Sequence, residues 1–186
     1  NAGIFLGNLA QHHPAASQLH ALAQTLSDLL DAKFGFLGEA ANSVGGYLAG
    51  ALPHANSQNA GLNALQMMAQ PRKAYVLLGI EPELDCHDPM QAMAAMKQAE
   101  FVVALSPYQH QALDYAHALL TVAPFTETSG TFVSTEGRVQ SFAGVVLPLA
   151  ETRPAWKVLR VLGNLLGVAG FDYDSSEAIR KEALGN

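Results

Sequence analysis

Cysteine is almost missing from this chain: Cys86 stands alone among 186 residues. That excludes a disulfide within the chain, a cysteine-ligated iron–sulfur cluster and a multi-cysteine zinc site, and a lone thiol fits a reducing compartment. Charge is scarce too. Charged residues make up 14% and apolar residues 49%, a globular composition whose surface is poor in charge for a free monomer and so points to a partner. Basic charge is scarcest, with ten Lys and Arg against 16 Asp and Glu and a net charge of −6. Phosphate affinity is built from clustered Lys and Arg, and no basic run occurs, which argues against nucleic-acid binding. No apolar run approaches the roughly 18 residues that span a bilayer, and no charged-then-apolar leader opens the chain. A soluble chain without direct membrane insertion is expected. It starts at Asn1 rather than Met and enters a strand-like run almost at once, as a piece of a longer protein would.

What is present reads as an α/β fold: a three-layer, mostly parallel, doubly wound sheet of Rossmann type with an added β-hairpin. One domain is expected over 1–186, with a first βα portion over 1–56, a linker and short helix over 57–73, a βαβαβ core over 74–123, the hairpin over 124–153 and C-terminal helices over 154–186. The continuous apolar run Gly3 to Gly7 predicts a strand buried on both faces. From Pro14 to about Ala32, Ala15, Leu19, Leu22, Leu26 and Leu29 form a stripe expected to cover a sheet. Phe34 to Pro53 reads as a turn into a short close-packed helix, and its glycines match no phosphate-binding pattern. A polar linker over 54–63 and a short helix from Leu62 to Ala69 follow. The runs at Ala74, Phe101 and Ala118 predict three parallel strands. Between them, Asp88-Pro89 with Gln91 and Ser106-Pro107 with Gln109 predict two helix starts. Pro154 to Gly167 is helical by period, and Asp174 with Glu177 predicts a capping box for a last helix.

The stretch Pro124 to Pro154 is the most specified locally. Thr131 to Ser134 and Val139 to Phe142 flank Thr135-Glu136-Gly137-Arg138, where Gly137 suits a left-handed loop position. Glu127, Glu136, Arg138, Gln140, Glu151 and Arg153 add more charge than a packed ribbon requires, which suggests an ion-paired surface or a subunit contact. Such pairs contribute about 0 to 1 kcal/mol each and set partner choice and register more than stability.

Catalytic chemistry finds little footing. Ligands of an open parallel sheet gather beyond the carboxyl ends of its strands, here Gly79 to Asp88. Glu81, Glu83, Asp85 and Asp88 would repel a pyrophosphate there. Asp85, Cys86, His87 and Asp88 have zinc-type donors, but adjacent side chains rarely converge on one ion, so no metal is expected. His12 and His13 read as a helix-entry pair. Ser43, Ser106 and Ser129 lack a nucleophile elbow, and no base is placed beside Cys86, so no catalytic residue is expected.

The segments A-Y-V-L-L-G-I-E-P-E-L-D, F-T-E-T-S-G-T-F-V-S-T-E-G-R-V-Q-S-F and R-P-A-W-K-V-L-R-V-L-G together resemble the G-subunit family of bacterial NADH-quinone oxidoreductase, respiratory complex I. The resemblance is close from Ala74 to about Glu182 and looser from Gly3 to Pro53, and it falls in the molybdopterin-oxidoreductase-like C-terminal part of that subunit. Glu127, Gly130, Thr131, Glu136, Gly137, Arg138 and Gln140 carry the signature, with Ser134 where molybdenum oxidoreductases usually have Asn. The resemblance implies a structural or assembly domain, without its own redox centre, of a complex that passes electrons from NADH to quinone. It implies no cofactor in this segment, with the iron–sulfur clusters elsewhere in the subunit. It implies other peripheral-arm subunits as partners, at the cytoplasmic face of the bacterial inner membrane. The rival is a molybdopterin-dependent oxidoreductase segment in which Gly79, Asn42 and the hairpin contact a pterin dinucleotide; Asn42, Gly79 and Glu81 are the candidates for a remnant of such a pocket. A third reading is a free-standing small-molecule binder.

Overall fold

In a computed structural model, residues 2–53 and 61–185 are described. They fall into two compact units, Asn1–Ala51 with Thr131–Ser141 and Leu52–Gly130 with Phe142–Asn186. Strands with parallel partners, helices between them and a hairpin make the chain α/β, as the sequence predicts. Among the described residues the strands form three small sheets rather than one, and residues 54–60 of the linker expected over 54–63 lie outside the described residues.

In the first unit, β1 (Gly3–Leu6) is followed by the one-turn α1 (Asn8–Gln11) and by α2 (Ala16–Leu29), and pairs in parallel with β2 (Lys33–Phe36), Gly3 opposite Lys33 and Leu6 opposite Phe36. β1 alternates between exposed and half-buried residues, so it is not buried on both faces. The leucine stripe of α2 is also turned outward, Leu22, Leu26 and Leu29 being 68%, 48% and 78% exposed. The covered line is Ala16, Leu19, Ala23 and Ser27, spaced for one helical face. Small residues let α2 lie close to β1 and β2, and His20 stacks on Phe34 at 5.3 Å and meets Phe36 edge-on at 5.0 Å. Ser27 Oγ, buried, donates to the Ala32 carbonyl at 2.7 Å, which closes the helix against the turn into β2. α3 (Ser43–Leu48) is the short helix expected after Phe34.

In the second unit α4 (Ala64–Ala69) starts with a complete capping box between Asn63 and Gln66. β3 (Ala74–Leu78) then pairs in parallel with β4 (Phe101–Ser106), and β4 with β5 (Ala118–Thr121). β3 alternates, with Tyr75 and Leu77 buried and Val76 and Leu78 half-exposed, so one face of this sheet carries the core. After the one-turn α5 (Pro82–Asp85), α6 (Pro89–Gln98) covers that face. It opens as predicted, Asp88 accepting from the Gln91 amide at 3.0 Å and Pro89 filling the first turn. Its Ala92, Ala95 and Met96, with Ala99 just beyond, lie one helical turn apart and are buried. Burying a side chain such as Met96 stabilises by about 1.5 to 3 kcal/mol.

The helix expected from Ser106 does not form. Ser106 ends β4 and its hydroxyl accepts from the Tyr108 amide at 3.1 Å, so the chain turns there. A single 3-10 turn, Gln111–Asp114, then carries it to β5. A parallel bridge from Val122 to Arg153 extends the sheet edge by one residue.

The hairpin is as expected: β6 (Gly130–Val133) and β7 (Val139–Phe142) pair across a turn in which Gly137 has φ +80°. α7 (Ala155–Leu165) half-buries Ala155, Leu159 and Leu162 along one face, together with Trp156, Arg160 and the fully covered Gly163, while Leu166, just past its end, is exposed. Gly163 sits under the Phe171 ring, which a Cβ would strike, and Gly167 at φ +67° ends the helix. α8 (Ser176–Leu184) is capped by Ser175, which accepts from the Ala178 amide at 3.2 Å, rather than by Asp174.

Candidate functional site

Beyond the carboxyl ends of β3 and β4 two loops meet. The Gly79 amide still donates to the Leu105 carbonyl at 2.9 Å, and with φ +59° that glycine turns the chain away from the sheet. The next turn is tight, the amides of Leu84 and Asp85 both donating to the Glu81 carbonyl at 2.8 Å and the Glu81 amide donating to Asp85 Oδ2 at 2.7 Å. This winding sends Glu83 inward, its side chain only 9% exposed. From the β4 side, His110 caps the 3-10 turn with Nδ1 accepting from the Ala112 amide at 3.2 Å, and its side chain is 10% exposed. Tyr115, in the core, donates its hydroxyl to Glu83 Oε2 at 3.0 Å.

His110 Nδ1 lies 3.7 Å from Glu81 Oε2 and 3.8 Å from Glu83 Oε1. Because Nδ1 is accepting from an amide, it presents a lone pair rather than a proton, and these approaches are not ion pairs in this geometry. Glu83 Oε1 is buried without a hydrogen-bond partner. Burial above all, then the hydrogen bond to Glu83 and the Glu83 and Glu81 charges, push the Tyr115 phenol far above its ordinary range, so it stays a donor. Burial and then Asp85 and Glu83 raise the Cys86 thiol as well.

The sequence-predicted residues divide between the units. Asn42, in the first, does not cap α3. Its Oδ1 accepts from the Val133 amide at 2.8 Å and so ties the loop before α3 to the hairpin. Gly79 and Glu81, in the second, shape the loop just described. Glu127 Oε2 accepts from the Leu149 amide at 2.9 Å and pins the chain that follows the hairpin. Gly130 lies against the Phe142 ring, where a Cβ would overlap it, and Thr131 and Ser141 join their hydroxyls across the strands at 3.0 Å. Glu136, Gly137, Arg138 and Gln140 are exposed. Among the described residues no ion pair engages Glu136 or Arg138, whereas Glu151 and Arg153 pair at 3.5 Å in solvent. Asp85, Cys86, His87 and Asp88 do not converge: Asp85 and Asp88 hold backbone amides instead. His110 and Tyr115 escaped the sequence reading. The available signal was position, since Glu81, Glu83 and His110 all lie three to five residues past the ends of adjacent parallel strands, whose loops emerge at one edge.

The molybdopterin oxidoreductase family model matches residues 1–165. The chain belongs to that family. It is 32% identical over 111 residues, 60% of its length, to "Probable oxidoreductase YjgC" of Bacillus subtilis, and that stretch is 11% of the relative. It is 31% identical over 94 residues, half of its length, to "NADPH-Fe(3+) oxidoreductase subunit alpha" of Geobacter sulfurreducens, again 11% of the relative. The matched part of the chain thus spans about a tenth of the length of these curated relatives.

Family membership raises the question of a pterin dinucleotide, whose pyrophosphate needs free amides and cations. The loop beyond β3 does not fit it: the Glu81 amide is taken by Asp85, and the buried group facing the crevice is a carboxylate. In the first unit, a cavity of about 580 Å³ at the carboxyl ends of β1 and β2 runs from Phe5 to Ala10 and from Leu37 to Glu39, with no Lys or Arg in its wall. Cations gather elsewhere, Arg153, Lys157 and Arg160 lining a largely apolar cavity of about 510 Å³ along α7 and β5. No helix among the described residues is long and apolar enough to cross a membrane.

Proposed function

We propose that this chain is the C-terminal part of the G subunit of an NADH-quinone oxidoreductase. There it serves as a structural and assembly domain without a redox centre of its own and supports electron transfer from NADH to quinone. Its partners are other peripheral-arm subunits at the cytoplasmic face of a bacterial inner membrane, and the iron–sulfur clusters lie elsewhere in the subunit. The coarser part of this reading is membership of an oxidoreductase family. The finer part rests on the resemblance of the Ala74, Pro124 and Arg153 segments to G subunits. The observation that carries the noncatalytic role is the inward Glu83 carboxylate beside Glu81, in the crevice where a family cofactor's phosphates would need positive charge. Glu136 and Arg138 at the hairpin tip, exposed and without an ion pair among the described residues, suit a contact with a neighbour better than a packed ribbon.

The second reading, a molybdopterin-dependent oxidoreductase segment that helps to form a pterin dinucleotide pocket, is favoured by the family match itself. Elemental analysis and pterin fluorescence of the purified full-length subunit separate the two. The scaffold reading expects molybdenum and pterin far below one per subunit, and stoichiometric amounts of both overturn it.

A further inference from the structure

We propose that Glu81, Glu83 and His110 form a binding site for one redox-inert divalent cation, Zn²⁺ in preference to Mg²⁺ or Ca²⁺. The three side chains offer two carboxylate oxygens and an imidazole nitrogen, all within 4.8 Å of one another. Donors at about 2.0 to 2.2 Å from one zinc sit about 3.3 Å apart in a tetrahedral site, so the 3.7 Å and 3.8 Å spacings need only a small contraction. A charge cluster alone would be an ordinary solvated feature, and two observations set this one apart. Glu83 is nine-tenths buried, and its Oε1, on the side facing His110, has no partner. A buried carboxylate oxygen in that state is destabilising unless a donor or a positive charge meets it. His110 is buried to the same degree, and its Nδ1, which accepts from the Ala112 amide and so carries no proton in this geometry, lies 3.7 Å and 3.8 Å from the two carboxylates. A cation meets both carboxylates together and takes the Nδ1 lone pair in exchange for its 3.2 Å hydrogen bond with the Ala112 amide.

Tyr115 completes the arrangement from behind. Its hydroxyl holds Glu83 Oε2 and leaves Oε1 as the ligating atom, the usual role of a group that orients a metal-bound carboxylate. The imidazole selects a borderline cation over Mg²⁺ and Ca²⁺, which prefer oxygen throughout. Three protein donors leave further positions to water.

The test uses the full-length subunit, stripped with chelator, loaded with Zn²⁺ and desalted. Zinc is counted by mass spectrometry for the wild type, Glu83→Gln and His110→Ala, with iron as the measure of intact folding and assembly. We expect about one more zinc in the wild type than in either variant at equal iron, and equal zinc overturns the site. If a variant loses iron, zinc-edge X-ray absorption of the loaded wild type decides. A first shell of oxygen and nitrogen with one imidazole and no sulfur supports the site. A sulfur shell, or no retained zinc, overturns it.

Discussion

The loop after β3 and the turn of the hairpin are both short, glycine-punctuated and rich in charge, yet the fold uses them in opposite ways. Glu83 and His110 are drawn under the sheet edge and held by Tyr115 and by backbone amides. Glu136 and Arg138 stay in solvent with no ion pair among the described residues. The difference lies in what each loop connects. Parallel strands release their loops at one edge, where side chains from separate segments meet, whereas a hairpin tip has only its own two strands for company. Charge brought inward must find partners; charge left outward costs the fold little and is free to be read by another surface.

Changes in the buried cluster should therefore cost more than changes at the tip. Tyr115→Phe removes the hydrogen bond that holds Glu83 Oε2 in a buried carboxylate whose Oε1 has no hydrogen-bond partner among the described residues. It should destabilise locally by about 1 to 3 kcal/mol, seen as faster amide hydrogen exchange across residues 79 to 88. No change in exchange there would mean that water reaches Glu83 and that the contrast with the tip is false. Asn42→Ala removes the acceptor of the Val133 amide, itself buried, and should loosen the turn-side end of β6 by about 1 to 2 kcal/mol in the same assay. Gly137→Ala, at φ +80°, should cost about 1 to 2 kcal/mol confined to the turn. A penalty spreading to β3 would couple regions that the account treats separately.

The mildest effect is on a rate. Burial, followed by the Asp85 and Glu83 charges, raises the Cys86 thiol, so near neutral pH its thiolate fraction is below that of a free cysteine. Alkylation should be slow near pH 8 and should keep rising with pH after a free thiol has levelled off. A profile matching free cysteine would show Cys86 open to water and beyond the reach of those carboxylates.

How much of this was legible varies with the physics involved. The hairpin, β3 and α6 were readable because a turn glycine, alternation and an Asp-Pro cap act locally. The face of α2 was not: its leucines are the larger apolar residues, but the close approach to β1 and β2 selects Ala16, Ala23 and Ser27. β2 was missed because Lys33-Phe34-Gly35-Phe36 is short and broken by glycine, and becomes a strand only through its pairing with β1. The Ser106-Pro107 signal failed because the serine hydroxyl closes a turn at Tyr108 instead of capping a helix. The cluster around Glu83 was half readable, since its acids stood out in sequence while His110 reaches them only through the register of β3 and β4.

Assembly tests the proposed role most directly. In the Glu136→Ala, Arg138→Ala double variant, expressed with the other subunits of the complex, the account predicts unchanged hydrogen exchange over β6 and β7 and a clear drop in the fraction recovered in the assembled peripheral arm. Full recovery of the complex would contradict it, and so would loss of the hairpin's own protection in step with assembly.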